Sequence, residues 1–390
     1  MGLSQRNHID FTLLISVIAL MLLSLGIVYS ASASYAQLRY GESEWMLSSH
    51  AIKVLLGIFA LFIGMQIDYH KLLKITKMAL VIAVVLLFVT LLMGGEAKGA
   101  TRWLRFFGIG LQPSEFAKYA LLFHLCTLIT TKSEIIKEFK TGFLPLIVWI
   151  GIVTGLVFAQ PNFSMGAMIL LLSLVMMFIG QVKWSHLFSM FLIAIPVLLI
   201  YLLSAEYRKA RLFSFLGIES ETVKNSAYQL NQGILAFGNG GIFGVGPGDS
   251  RQRDFFLPES YSDFVFSIVG EEYGFIGTIF FMLIFIVIMF RGFKIAKYAN
   301  DQFGRNLAIA ITSAIIFYAL INAAVTLGIV PTTGLPMPFV SYGGSSMVFS
   351  AFAVGVLLSI SSFTDLHPRA REIPIVGSVN SGDPGVGKVY

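Results

Sequence analysis

Ten stretches of this chain are apolar for about twenty residues each, and that pattern constrains its fold more than any other feature. They lie at roughly 11–31, 49–68, 77–94, 113–131, 142–159, 164–181, 186–204, 264–290, 306–329 and 343–363. A helix needs ~20 apolar residues to cross a hydrocarbon core. Inside that core the main chain must satisfy its own hydrogen bonds. The expected class is therefore an all-α polytopic membrane protein with ten transmembrane helices. Only 12% of the residues are charged, against about 25% in soluble domains.

The first apolar stretch is followed by Ala31-Ser32-Ala33, which mimics a signal-cleavage site. A cleaved signal has an apolar core of ~7–15 residues behind a clearly basic start. Here the stretch is longer and Arg6 is offset by Asp10, so it reads as a retained span. Cys126 is the single cysteine, which rules out a disulfide within the chain. The six histidines are scattered without metal-ligand spacing. The formal net charge of +6 reflects loop lysines and arginines beside spans, not affinity for nucleic acid.

Lysine and arginine in short loops set orientation. With a cytoplasmic N-terminus, the inner side receives Lys71, Lys74, Lys77, Lys132, Lys137, Lys140, Lys183, Arg291, Lys294, Lys297, Arg305, Arg369 and Arg371. The short outer loops receive Arg39, Lys98, Arg102 and Arg105. Both termini are then cytoplasmic. The expected membrane domain covers 1–363, and the polar, Gly- and Pro-containing stretch 364–390 is expected to be a disordered cytoplasmic tail.

One outer loop, 205–262 between spans seven and eight, is much longer than the others, and loops of that length usually carry a role. Glu206 to Leu216 mixes bases with large apolar groups, which suits an interfacial helix with its arginines toward headgroups. Ser226 to Gly240 reads as a second short helix. Gly238 to Gly248 superficially looks like a nucleotide loop, but no strand precedes it, so a flexible outer turn is expected.

Asp263 stands where that loop meets the apolar run beginning at Phe264. An ionisable group there is a functional-site candidate, although it could serve only as a helix N-cap. Glu271 and Glu272 follow about two turns deeper, where structural hydrogen bonding within the bundle is the plainer role. Gln112-Pro113-Ser114-Glu115-Phe116-Ala117-Lys118 opens the fourth span, and Glu115 and Lys118 share a helix face. They either neutralise each other or face a polar cavity opening outward. In Lys98 to Arg105, arginine suits oxyanion recognition, and Trp103 suits a sugar or lipid face or an interface anchor. Pro331 to Ser346 reads as a rigid re-entrant loop, and its Ser341, Tyr342 and Ser345 could line substrate or simply pack.

These segments, together with Tyr228 and Gln232 and the run Leu257 to Gly274, resemble the SEDS family (shape, elongation, division and sporulation) from about residue 10 to 363. Asp249-Ser250-Arg251-Gln252-Arg253 is closer to the division (FtsW) and sporulation branch than to the elongation (RodA) branch. The resemblance implies ten spans and a peptidoglycan glycosyltransferase in the bacterial inner membrane, polymerising lipid II at the outer leaflet, with septal synthesis in division as its expected setting. The family's essential acid falls on Asp263 and its paired charges on Glu115 and Lys118, with Gln232 and Glu259 in the motifs that accompany them. Two departures stand out: Asn162 where the family often has Asp, and Gly233 where Ser commonly follows the glutamine.

The expected mechanism uses Asp263 as general base on a sugar 4-hydroxyl, with Arg102, Lys118 and Arg211 steadying a diphosphate leaving group. No second carboxylate is evident beside Asp263, so inversion is expected. No organic cofactor is implied, and a divalent cation (Mg or Mn) bridging diphosphate and carboxylate has no ligand signature. The implied partners are a class B penicillin-binding transpeptidase, other division proteins and membrane lipids. Rival readings are a flippase for lipid-linked sugars, which needs a polar path to both leaflets, an elongation-type polymerase, and a non-catalytic scaffold.

Overall fold

The computed structural model describes residues 7–366 apart from 94, 98–99, 107–108, 219–222 and 255. Lys98 and nearly all of the expected tail thus lie outside the described residues. Twelve α-helices are described: α1 (Phe11–Tyr40), α2 (Trp45–Gln66), α3 (Tyr69–Met93), α4 (Pro113–Thr131), α5 (Leu144–Ala159), α6 (Phe163–Ile179), α7 (Trp184–Leu203), α8 (Glu206–Phe215), α9 (Lys224–Gly240), α10 (Val265–Lys297), α11 (Gln302–Thr326) and α12 (Gly344–Ser362). A π-helical turn, Phe139–Phe143, leads into α5.

Eight of the helices, counted with that turn, are long and apolar enough to cross a membrane, so the chain is a multi-pass membrane protein. The expectation of ten rests on two further helices that fall short of that measure. Helix α6 has 17 residues, and α4 carries Glu115, Lys118 and His124 within 19. Their places in the bundle explain this. Helix α4 is buried on nearly every side, as are α11 and α12, so its sequence answers to protein neighbours and not to lipid. Helix α7 is the opposite case: of its twenty residues only Leu187 is buried.

Glycine lets α2 and α12 touch main chain to main chain. A Cβ on Gly355 would come within 2.1 Å of the Leu61 carbonyl oxygen and 2.9 Å of the Gly64 Cα. Small residues of this kind allow the close approach that drives helix association in lipid. The two ends of the described chain meet on one face, where the Asn7 N–H donates to the Ser362 carbonyl at 2.6 Å. There the Arg291 Nη2 also pairs with the Asp10 carboxylate at 2.6 Å. Asp263 lies on the opposite face, before the first turn of α10.

Three features of that face differ from expectation. Residues 100–105 of the expected loop lie in a small antiparallel sheet of order β1-β2-β3, with β1 Gly95–Ala97, β2 Ala100–Phe106 and β3 Ile109–Leu111. Helices α8 and α9 form where expected, but the arginines of α8 turn inward: Arg208 is buried, and Arg211 donates to the Thr333 carbonyl at 3.1 Å. Partners in the bundle outcompete the headgroups.

The glycine segment after α9 is also no free turn. Helix α10 is interrupted at Gly274, where φ is 65° and ψ is −165°. The segment docks into that break. The Val245 and Gly246 N–H groups donate to the Glu271 and Glu272 carbonyls at 3.0 and 3.1 Å. Those of Phe275 and Ile276 donate back to Gly241 and Ile242 at 2.9 and 3.2 Å. A break within a span must find such partners for its freed main-chain groups. A Cβ at Gly244 would sit 2.2 Å from the Glu272 carbonyl oxygen, so nothing larger than glycine fits there.

Candidate active site

Asp263 is held by its main chain from two sides. Asn322 of α11 donates through Nδ2 to the Asp263 carbonyl and to the Leu335 carbonyl, each at 2.9 Å. Ser341 donates to the Ser262 carbonyl at 2.6 Å and accepts from the Met337 N–H at 2.7 Å. The Tyr342 N–H donates to the Tyr261 carbonyl at 2.9 Å. The stretch 331–343 is thereby stitched onto 261–263. Glu259 and Phe339, neither a glycine, sit at φ 57° and 65°, and such conformations persist only where surrounding bonds hold them.

The capping position of α10 belongs to Phe264, whose side chain makes no capping bond. The Asp263 carboxylate instead reaches Gly334: a Cβ there would lie 3.2 Å from Asp263 Oδ2 and 3.9 Å from both Nη atoms of Arg211. Acid and guanidinium therefore flank one small residue, and a larger one would separate them. Arg211 in turn lines a cavity of about 260 Å³ together with Arg102, Arg208, Tyr207, Asn162 and Thr333. Arg102 donates to the Gln160 carbonyl at 3.4 Å and to the Pro161 carbonyl, and Arg208 to the Tyr201 carbonyl. Burial pulls the Arg102 guanidinium below its ordinary pKa; the Tyr207 hydroxyl opposes this and the charge of Arg211 adds to it. Three guanidiniums anchored on carbonyls line one pocket, which suits a polyanion with oxygens on several sides.

The other expected residues fall elsewhere. Glu115 and Lys118 bond at 2.7 Å with 1% and 2% of their side chains exposed, and the ammonium lies 3.9 Å from the Tyr318 ring centre. They do not line the cavity, so the expectation of a pair facing an outward-opening cavity is corrected: the interior of the bundle encloses them. Trp103 packs over Gly110, and Gln112 caps α4, its N–H donating to Ser345 Oγ at 2.8 Å. Glu259 accepts from Ser262 at 2.9 Å. Tyr342 donates to Ser49 at 3.0 Å. Gln232 sits half-buried on α9, outside the cavity lining. Glu271 accepts from Ser250 and, at 3.1 Å, from Asn239, while Glu272 accepts from Ser30. Both are thus fasteners of the helix break.

Sequence reasoning missed Asn322, Arg208 and Lys53. Each had a signal: an amide or a cation in or beside an apolar span is costly unless it has work there. Among the described residues, no group of three or more His, Cys, Asp or Glu side chains converges as a metal site would require.

The family described as cell cycle protein, FtsW/RodA/SpoVE, matches residues 11–366. The chain belongs to that family. A probable peptidoglycan glycosyltransferase FtsW of Geobacter metallireducens is 36% identical over 364 residues, covering 93% of this chain and 97% of the relative. Stage V sporulation protein E of Bacillus subtilis is 36% identical over 359 residues, covering 90% and 97%. Among solved structures, a chain from work on the structural coordination of polymerization and crosslinking by a peptidoglycan synthase complex has a TM-score of 0.74 at 23% identity. It covers 90% of this chain and 97% of the other. That last likeness speaks for the fold.

Proposed function

We propose that this chain is a peptidoglycan glycosyltransferase that polymerises lipid II, with Asp263 as general base. The observation that carries the reading is the placement of Asp263 and Arg211 on either side of Gly334, at the edge of an arginine-lined cavity. The names of the family relatives support it. Asp263 accepts the proton of a sugar 4-hydroxyl as its oxygen bonds to the anomeric carbon of a second molecule. The bond from that carbon to the diphosphate oxygen breaks, and the negative charge passes to the diphosphate. Arg102, Arg208 and Arg211 stabilise it there. Direct displacement inverts the anomeric centre. Lys118 and Glu115 act at a distance, by holding α4 against α11.

The lining of the cavity belongs to the Asp263 face, which favours an enzyme over a flippase. We place that face outside the inner membrane, with both termini in the cytoplasm, residues 1–363 as the membrane domain and 364–390 as a tail. The relatives' names favour septal or sporulation synthesis, and a class B penicillin-binding transpeptidase is the proposed partner, alongside other division proteins. Asp263 offers a single carboxylate, so a divalent cation enters this reading only as a counter-ion brought by the diphosphate.

The test is the purified chain given lipid II, with and without a transpeptidase partner, and analysed for long glycan strands. Strands from the wild type and none from Asp263→Asn are expected. Undiminished strands from Asp263→Asn would remove the base.

A further inference from the structure

Lys53 is a cation inside a span that the reaction as described does not use. It lies on α2 eight residues after Trp45, which stacks on Tyr40 with ring centres 3.8 Å apart. Exposed tryptophan and tyrosine favour the level of the lipid headgroups. Eight residues of helix then put the Lys53 main chain about 12 Å deeper. Among the described residues no carboxylate pairs with it. Its stem lies along Gly344, where a Cβ would meet Cγ and Cδ at 3.7 Å, and its ammonium sits 3.3 Å from the centre of the Tyr342 ring.

The plain alternative is a lysine that snorkels to the headgroups. The position of Nζ argues against it. The ammonium is seated on a ring whose residue is bonded by its N–H to Tyr261, two residues before Asp263, and by its hydroxyl to Ser49. Lys53 therefore belongs to the same stitched loop that holds the acid. It stands on the α2–α12 side of that loop, while Arg102, Arg208 and Arg211 stand on the side of α6 and α8.

A polymerase of lipid-linked sugars must hold two polyprenyl diphosphates at once, one on the growing strand and one on the incoming unit. The arginine cavity accounts for one. We propose that Lys53, seated on Tyr342, holds the diphosphate of the second lipid, so that Asp263 lies between two anion sites. This rests on the reading given under Proposed function. A ring face leaves the ammonium protons free for phosphate oxygens, which a carboxylate partner would not.

The experiment counts undecaprenyl diphosphate bound to the full chain in phosphatidylcholine nanodiscs by native mass spectrometry. Wild type and Asp263→Asn are expected to take two equivalents, Lys53→Met one, and Lys53→Arg two. Two equivalents on Lys53→Met, or one on the wild type, would overturn the proposal. A second measurement needs no variant: undecaprenyl diphosphate should protect Lys53 of the wild type from an amine-reactive label severalfold, while the same amount of phosphatidylglycerol should not. No protection, or equal protection by phosphatidylglycerol, would equally overturn it, the latter marking a general anionic-lipid contact. If Asp263→Asn still polymerised while the count stayed at two, the base assignment would fail and the two-site arrangement would stand.

Discussion

Two groups of charge, one buried and one half-buried around a cavity, lie on the same side of this protein and are built in opposite ways. In the Glu115–Lys118 pair, each ion is neutralised by the other at 2.7 Å and the interior seals them in. Around the cavity, Arg102, Arg208 and Arg211 direct their N–H groups to main-chain carbonyls, which hold a guanidinium in place without cancelling its charge. The difference teaches where to look for ligand binding in a membrane bundle. A cation matched by a carboxylate has spent its charge on the fold. A cation held by dipoles or a ring keeps its charge for an anion.

The largest expected effect tests what the unmatched cations serve. Asp263→Asn should cut strand synthesis by ~10²–10⁴-fold, the usual worth of a general base, with an unchanged thermal melt. Stability should respond most at the sealed pair. Lys118→Met, which strands a buried carboxylate, should cost about 3–5 kcal/mol, and adding Glu115→Gln should restore most of it. A melt unmoved by Lys118→Met would undo the contrast. Arg211→Ala should lower kcat by ~10²-fold or more if it steadies the departing diphosphate, while its loss from the fold costs no more than the ~0.5–1.5 kcal/mol of an ordinary hydrogen bond.

Asn322→Ala should fall between the two classes. Two carbonyls lose their donor, which costs ~1–3 kcal/mol, and kcat should drop with KM nearly constant as Asp263 loosens. The smallest effect belongs to the Glu206–Lys209 pair on α8, where the carboxylate is 71% exposed. Lys209→Ala should change stability by less than ~1 kcal/mol, the range of surface pairs. Together these measurements rank charge by what neutralises it and not by how deeply it lies.

The bundle was legible because hydrophobic runs have a length that the bilayer imposes, and two short helices in the long loop, α8 and α9, were legible where they form. The acid at the head of α10 was legible because a carboxylate beside an apolar run is conspicuous. The inward turn of Arg208 and Arg211 was not, since an amphipathic helix on a membrane and one capping a cavity have the same local sequence. Nor was the docking of Gly238–Gly248 into the break at Gly274. Glycine spacing says that a backbone is free to approach something, and it does not say what.

From the sequence alone came a polytopic helical chain, the face on which its polar loops gather, and Asp263 as the residue to watch, because burial costs act on each segment by itself. Only the tertiary structure decided that Lys118 is enclosed while three arginines line a cavity, and that Lys53 joins the loop that holds Asp263. Those outcomes depend on which distant main-chain oxygen, carboxylate or ring meets each cation, and such meetings are made when helices pack.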